Sequence, residues 1–142
     1  MIGNNKAIGG GGFHHVAMRA KDFDASVKFY TEALGFREWI RWGKAASGDQ
    51  GDSRAIMLDT GDGSHLEIFA GGAGQAPEGA FIHIALNTTD CDAALSRARA
   101  AGAKVTMEPQ SLTIESTPAP TPVRIAFCTG PDGEVIEFFQ KL

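Results

Sequence analysis

The chain has 142 residues, 43% hydrophobic and 21% charged, with 18 glycines and a formal net charge of −4. That length suits one domain or two small halves sharing a core, and the apolar content with so mild a charge excludes a disordered or collagen-like chain. No apolar run approaches the roughly 18 residues of a transmembrane helix, and no block of like charge suits nucleic acid or an anionic membrane.

Met1 to Gly12 carries one lysine and no apolar core, so it reads as a flexible tail and not a signal peptide. Phe13 to Arg19 alternates as a strand, with His14, Val16 and Met18 on one face and Phe13, His15, Ala17 and Arg19 on the other. Asp22 or Asp24 caps a helix bearing Val27, Tyr30 and Leu34 on one side, and Gly35 ends it. Three short strands follow, near Arg37 to Trp42, Arg54 to Asp59 and His65 to Phe69, the last two joined through Gly61-Asp62-Gly63.

Gly71 to Gly79 is a flexible linker by composition. A strand from Phe81 to Asn87 and a helix from Asp90 to Ala101, closed by Gly102, then repeat the pattern. Further strands fall near Lys104 to Met107, Val123 to Cys128 and Glu134 to Gln140, with Pro131-Asp132-Gly133 as the last turn. Thr117 to Pro122 has a proline at every second position, which excludes helix and central strand and predicts a loop, as does Gly43 to Asp52. Cys91 and Cys128 have neither the spacing of a thiolate metal site nor that of a disulfide scaffold. They read as small buried residues of a protein in a reducing cytoplasm.

The two series match. Slid by 68 positions, Phe13-His14-His15-Val16-Ala17-Met18 falls on Phe81-Ile82-His83-Ile84-Ala85-Leu86, Asp22 on Asp90, Asp24 on Asp92 and Ala25 on Ala93. At an offset of 70, Asp62-Gly63, Glu67 and Phe69 fall on Asp132-Gly133, Glu137 and Phe139. The expected fold is α+β: two tandem βαβββ modules, residues 13–70 and 80–142, each a curved mixed sheet with a helix on its outer face, enclosing a metal site.

The reason for the metal lies in the strand faces. Val16, Met18, Leu66, Ile68, Ile82, Ile84, Leu86, Ile136 and Phe138 supply the face that meets a helix. The opposite face carries His15, His65, Glu67, His83 and Glu137, and an enclosed carboxylate is costly unless it is paired or binds a cation. His15, Glu67, His83 and Glu137 form a four-donor set suited to a borderline divalent ion such as Ni, Co, Zn, Fe or Mn, with room for two further ligands. His65 shares the face of Glu67 as a partner behind the ligands. Phe69, Phe139, Trp39 and Trp42 are candidate apolar walls, although aromatics on short strands more often belong to a core.

Three segments give the chain a resemblance to the vicinal oxygen chelate superfamily, which includes glyoxalase I, bleomycin-resistance proteins, methylmalonyl-CoA epimerase and extradiol dioxygenases. They are His15 to Arg19 leading into Asp22 to Tyr30 and Leu34-Gly35-Phe36; His83 to Leu86; and Gly130 to Glu137. The resemblance places the family's metal positions at His15, Glu67, His83 and Glu137. That pattern is most similar to glyoxalase I, since the epimerase typically has glutamine where Glu67 stands. It also places Arg19 where glyoxalase I contacts a carboxylate of glutathione, and it implies a homodimer. Two features depart from the pattern: Gly71 stands where glyoxalase I usually has asparagine, and Ser116 to Pro122 replaces its basic, glycine-rich glutathione grip.

The expected function is a divalent-metal-dependent lyase or isomerase of the glyoxalase I type. Its substrate would be a small α-hydroxycarbonyl or a hemithioacetal linked to glutathione, converted by enediolate proton transfer with Glu137 first, and Glu67 second, as the base. Arg19, Phe69 and Phe139 would bind the substrate. The alternatives are another metal enzyme of the superfamily, either an extradiol dioxygenase or a thiol transferase, and a non-catalytic small-molecule or drug binder.

Overall fold

The computed structural model describes residues 13, 15–74, 83–114 and 119–142. The expectations for the tail, for His14, Phe81 and Ile82, for the linker after Gly74 and for Ser116 to Pro118 lie outside the described residues. The chain divides into two compact units, Met1–Gly74 and Gln75–Leu142.

In the first unit, β1 (His15–Arg19), β2 (Arg37–Trp42), β3 (Ala55–Asp59) and β4 (His65–Phe69) form one sheet in the order β1-β4-β3-β2. β1 pairs with β4 in parallel, and the other neighbours are antiparallel. The second unit repeats this arrangement with β5 (Ile84–Asn87), β6 (Lys104–Ile114), β7 (Thr121–Thr129) and β8 (Val135–Lys141), in the order β5-β8-β7-β6. Both units are thus mixed four-stranded sheets with a helix after the first strand, the α+β tandem that the repeat predicts. Among the described residues, no helix is long and apolar enough to cross a membrane.

The helices begin as the sequence implies. Asp22 accepts a hydrogen bond from the Ala25 amide (2.9 Å) and caps α1 (Phe23–Lys28); Asp90 accepts one from Ala93 (3.0 Å) and caps α2 (Cys91–Ala100). α2 buries Cys91, Leu95 and Ala98, one stripe at helical spacing. The first helix buries a stripe turned one position from the expected one. α1 runs into a π-helical turn, Phe29–Ala33, in which the Thr31 hydroxyl donates to the Val27 carbonyl (2.8 Å). Phe29 and Tyr30 are both buried and complete an i, i+3, i+4, i+7 face with Ser26 and Ala33. Phe23, Ser26, Phe29, Tyr30 and Ala33 therefore form the packed side, while Val27 and Leu34 are only half-buried.

Leu66, Ile68, Ile136 and Phe138 are buried as expected, joined by Ile56 and Leu58 of β3 and Ala126 and Cys128 of β7. Val16 departs from expectation: it is exposed, because β1 is an edge strand and α1 lies against β4. Repeat-related ion pairs tie each helix to its sheet. The Arg54 guanidinium donates to Asp24 (2.9 Å) and Asp52 (2.8 Å), and Arg124 donates to Asp92 (2.7 Å). Arg54 also lies over the Phe23 ring (4.7 Å).

Two segments are more ordered than their composition implies. Gly72 donates to the Ala20 carbonyl (2.9 Å), so the start of the glycine-rich linker is bonded to the first unit. Thr121 and Pro122, expected in a loop, begin β7, with Pro122 opposite Thr113 and its carbonyl accepting from the Leu142 amide (3.1 Å). Proline is tolerated there because it sits near the strand's first residue. β6 accordingly extends well past Met107.

Two outcomes test this packing. Gly43 has φ +81°, and a Cβ added there would lie 2.0 Å from the Ser53 carbonyl oxygen. Gly43→Ala is expected to destabilise the protein by about 1–3 kcal/mol in chemical denaturation. Cys91 and Cys128 are fully buried, and burial pushes the Cys128 thiol up to about 11. Neither cysteine should react with a thiol reagent at pH 8 until the chain unfolds. Because the Cys128 proton is held more tightly in the folded chain, its contribution to stability is intact below the ordinary thiol value near 8.5 and lost as pH rises towards 11. Cys128→Ala should flatten that part of the alkaline stability profile.

Candidate metal centre

Residues paired across neighbouring strands point to the same sheet face, so the registers define which side chains meet. Ala17, Glu67, Met57 and Ile40 form one cross-strand row; His15, His65, Asp59 and Arg37 form the next; Arg19, Phe69, Ala55 and Trp42 form the third. The second unit has the same layout. Ala85, Glu137, Phe127 and Met107 form the row through the glutamate, and Asn87, Phe139, Ile125 and Gln110 lie beside it.

In each unit a histidine on the first strand, or just before it, stands one row from the glutamate of the last strand. His15 Nε2 lies 3.6 Å from Glu67 Oε2, and His83 Nε2 lies 3.2 Å from Glu137 Oε2. Glu67 and Glu137 are only 9% and 8% exposed, although they point away from the helix-packed side. Among the described residues they and Ser26 are the buried polar or charged side chains. A buried carboxylate is costly without a partner, and in both units the imidazole is that partner. The His83 ring is also held edge-on against Phe127, with centroids 5.8 Å apart.

The four predicted ligands are therefore brought together as two pairs, one in each unit. Among the described residues, no group of three or more His, Cys, Asp or Glu is gathered in metal-binding geometry. The chemistry of the donors nonetheless fits a divalent ion: each unit presents one imidazole nitrogen and one shielded carboxylate oxygen, and two such pairs make a mixed N/O set.

Arg19 and Phe69 also meet, the guanidinium carbon lying 5.6 Å from the ring centroid while Nη1 donates to the Ala70 carbonyl (3.3 Å). His65 stands in register with His15 and stacks on Trp39, with centroids 4.5 Å apart and planes 28° from parallel. Phe139 is half-buried in the row next to Glu137.

Sequence reasoning missed two features. One is a register shift in β2 between Glu38 and Ile40. It turns Trp39, Ile40 and Trp42 to the face of Glu67 and leaves Glu38 and Arg41, three apart, on the other side as an ion pair. Strict alternation gives no sign of it, apart from the odd spacing of the two tryptophans. The other is the pairing of Arg54 and Arg124 with the helices. The offset of 70 that matches Glu67 with Glu137 also matches these arginines, so the signal was present.

The chain is similar to several known proteins in sequence and fold. A protein from Bacillus subtilis (strain 168) called uncharacterized protein YwbC is 34% identical over 130 residues, covering 89% of this chain and 95% of its own. A probable lactoylglutathione lyase of Vibrio parahaemolyticus is 31% identical over 129 residues, covering 89% and 88%. Among solved structures, a mutant of the fosfomycin resistance protein FosX from Listeria monocytogenes, complexed with Mn(II) and 1S,2S-dihydroxypropylphosphonic acid, shares the fold. Its TM-score is 0.67 at 17% identity, covering 92% of this chain and 93% of that one. The family model for the Glyoxalase/Bleomycin resistance protein/Dioxygenase superfamily matches residues 12–138, and the chain belongs to that superfamily.

Proposed function

We propose that this protein is a divalent-metal-dependent lyase or isomerase of the glyoxalase I type, acting on a small α-hydroxycarbonyl compound or hemithioacetal. The observation that carries this reading is the repeated pair of a buried glutamate and an imidazole, His15 with Glu67 and His83 with Glu137. A fold that merely duplicated a scaffold has no need to keep a costly carboxylate on the uncovered face of both sheets. The lactoylglutathione lyase name of the Vibrio relative supports the same reaction class.

The four side chains would hold one ion, Ni, Co, Zn, Fe or Mn, either within one chain or across a homodimer in the cytoplasm. The ion, when bound, lowers the cost of negative charge on adjacent substrate oxygens. The protein's own groups do the rest. Glu137, or Glu67 in the second instance, takes the proton from the substrate's hydroxyl-bearing carbon and returns it to the neighbouring carbonyl carbon, while the hydroxyl proton passes to the former carbonyl oxygen, so that the net change is an isomerisation. His83, 3.2 Å from Glu137, orients that carboxylate, and His65, level with His15 in the row next to Glu67, supports the ligands. Arg19 holds a substrate anion, while Phe69 and Phe139 flank the reacting carbons and exclude water.

Metal analysis of the purified protein comes first. A stoichiometric divalent ion is expected, with at least tenfold weaker affinity in His83→Ala and in His15→Ala. An intact fold with no metal affinity would leave only a small-molecule binder, whose ligand binding would survive chelation. For the reaction, the metallated protein should form lactoylglutathione from methylglyoxal and glutathione. Glu137→Gln should lower kcat by about a hundred- to ten-thousandfold with the fold intact. No turnover above the uncatalysed rate by a fully metallated protein would remove this substrate assignment.

A further inference from the structure

We infer that Gly72 positions Arg19: the one-residue bulge that it closes turns the Ala70 carbonyl onto the guanidinium and leaves one edge of that group free for a substrate carboxylate. The inference rests on the proposed function only in taking Arg19 as the group that meets the substrate's anion.

The parallel ladder of β1 and β4 continues past Arg19 and Phe69, which stand opposite each other. The Ala20 amide donates to the Phe69 carbonyl (2.8 Å), and the Ala20 carbonyl accepts from the Gly72 amide (2.9 Å). A regular parallel ladder would close on residue 71, so one extra residue is inserted here, with Gly71 in the left-handed region at φ +80°. The insertion presses Gly72 against the backbone of the arginine strand. A Cβ there would lie 2.8 Å from both the Arg19 carbonyl oxygen and the Ala20 carbonyl carbon, so the approach requires glycine. The bulge also redirects a carbonyl. On a regular strand the N–H and C=O of one residue point to the same neighbour. The Ala70 amide donates to Arg54, just before β3 (2.9 Å), yet the Ala70 carbonyl accepts from Arg19 Nη1 on β1 (3.3 Å).

The guanidinium is thereby held at two places, by that carbonyl and by the Phe69 ring, 5.6 Å from its carbon to the centroid. Among the described residues, its Nε and Nη2 make no hydrogen bond. That edge offers two parallel donors, the fork that takes a carboxylate bidentately. The bulge is found where the arginine is. At the matching places of the second unit stand Asn87 and Leu142, and β8 runs straight on beside β7, with Gln140 and Lys141 opposite Arg124 and Val123. A bulge that the scaffold needed would recur in the second copy, and it does not.

The test reads the guanidinium directly. In the full-length chain its nitrogen-15 NMR signals are assigned by their loss in Arg19→Ala. Acetate, a bare carboxylate, should shift the Arg19 Nε signal saturably. Gly72→Ala should weaken that binding at least about threefold and speed rotation about the Cζ–Nη1 bond. Gly71→Ala is the second route if Gly72→Ala does not fold. A Cβ has room there, with its nearest contact 3.8 Å away, but the backbone is strained, so acetate binding should weaken in the same direction. In hemithioacetal turnover Gly72→Ala should raise KM at least about threefold with kcat within about twofold, and should add nothing in an Arg19→Ala background. Arg19 signals and acetate affinity indifferent to both glycine changes, or an equal rise in KM with and without Arg19, would overturn the inference. Failure of the glyoxalase reading looks different: no variant turns over hemithioacetal, yet acetate binding at Arg19 still depends on Gly72.

Discussion

The parallel pairing of the first and last strands in each unit is the constraint on which the candidate site depends. It sets His15 opposite His65 and places Glu67 one row further on; in the second unit it brings His83 to Glu137 in the same way. Strands paired antiparallel throughout would run these segments in opposite senses, and the same residues would no longer meet twice in the same order. The pairing also puts the glutamate strand inside the sheet, with a neighbour on both sides. Glu67 is flanked by Met57 and Ala17, and Glu137 by Phe127 and Ala85, which is why both carboxylates are shielded.

The opposite faces keep the strands in place. Ile56, Leu58, Leu66 and Ile68 in one unit, and Ala126, Cys128, Ile136 and Phe138 in the other, are closed over by a helix. Each helix is also pinned by an aspartate of its first turn to an arginine, Asp24 to Arg54 just before β3 and Asp92 to Arg124 on β7. Exposed ion pairs of this kind contribute little stability by themselves, and their use is in orienting the helix on the strands. Units of roughly 65 residues have small cores, so the duplication supplies two modest scaffolds in place of one large one. Duplication also leaves each copy free to diverge. The register shift recurs at the matching place, Glu38 to Ile40 in β2 and Val105 to Met107 in β6, but the tryptophans belong to the first copy alone.

Much of this was legible from residue order. The alternation in Phe13 to Arg19 and His65 to Phe69, the aspartates before each helix, the glycines after them and the ordered repeat identify the elements and the faces of His15, Glu67, His83 and Glu137. What escaped had local physical causes. The first helix buries Ser26, Phe29, Tyr30 and Ala33, a stripe turned one position from Val27 and Leu34, and both satisfy helical spacing, so the pattern alone does not choose between them. Val16 has the right character for a core but sits on an edge strand that the helix leaves uncovered. Pro122 reads as a breaker until its place near the start of a strand is known.

The division between the two sources is clear at the site itself. Residue order alone determined the chemistry available: two imidazoles and two carboxylates, repeated in register, on the strand faces opposite the apolar ones. Alternation suffices for this because a side chain's face on a regular strand depends only on its own backbone. Tertiary structure decided which strands are neighbours, hence that each histidine meets its own glutamate, and where alternation breaks, hence that both tryptophans share the Glu67 face. Pairing and bulges are properties of two strands at once, and a single stretch of sequence cannot specify them.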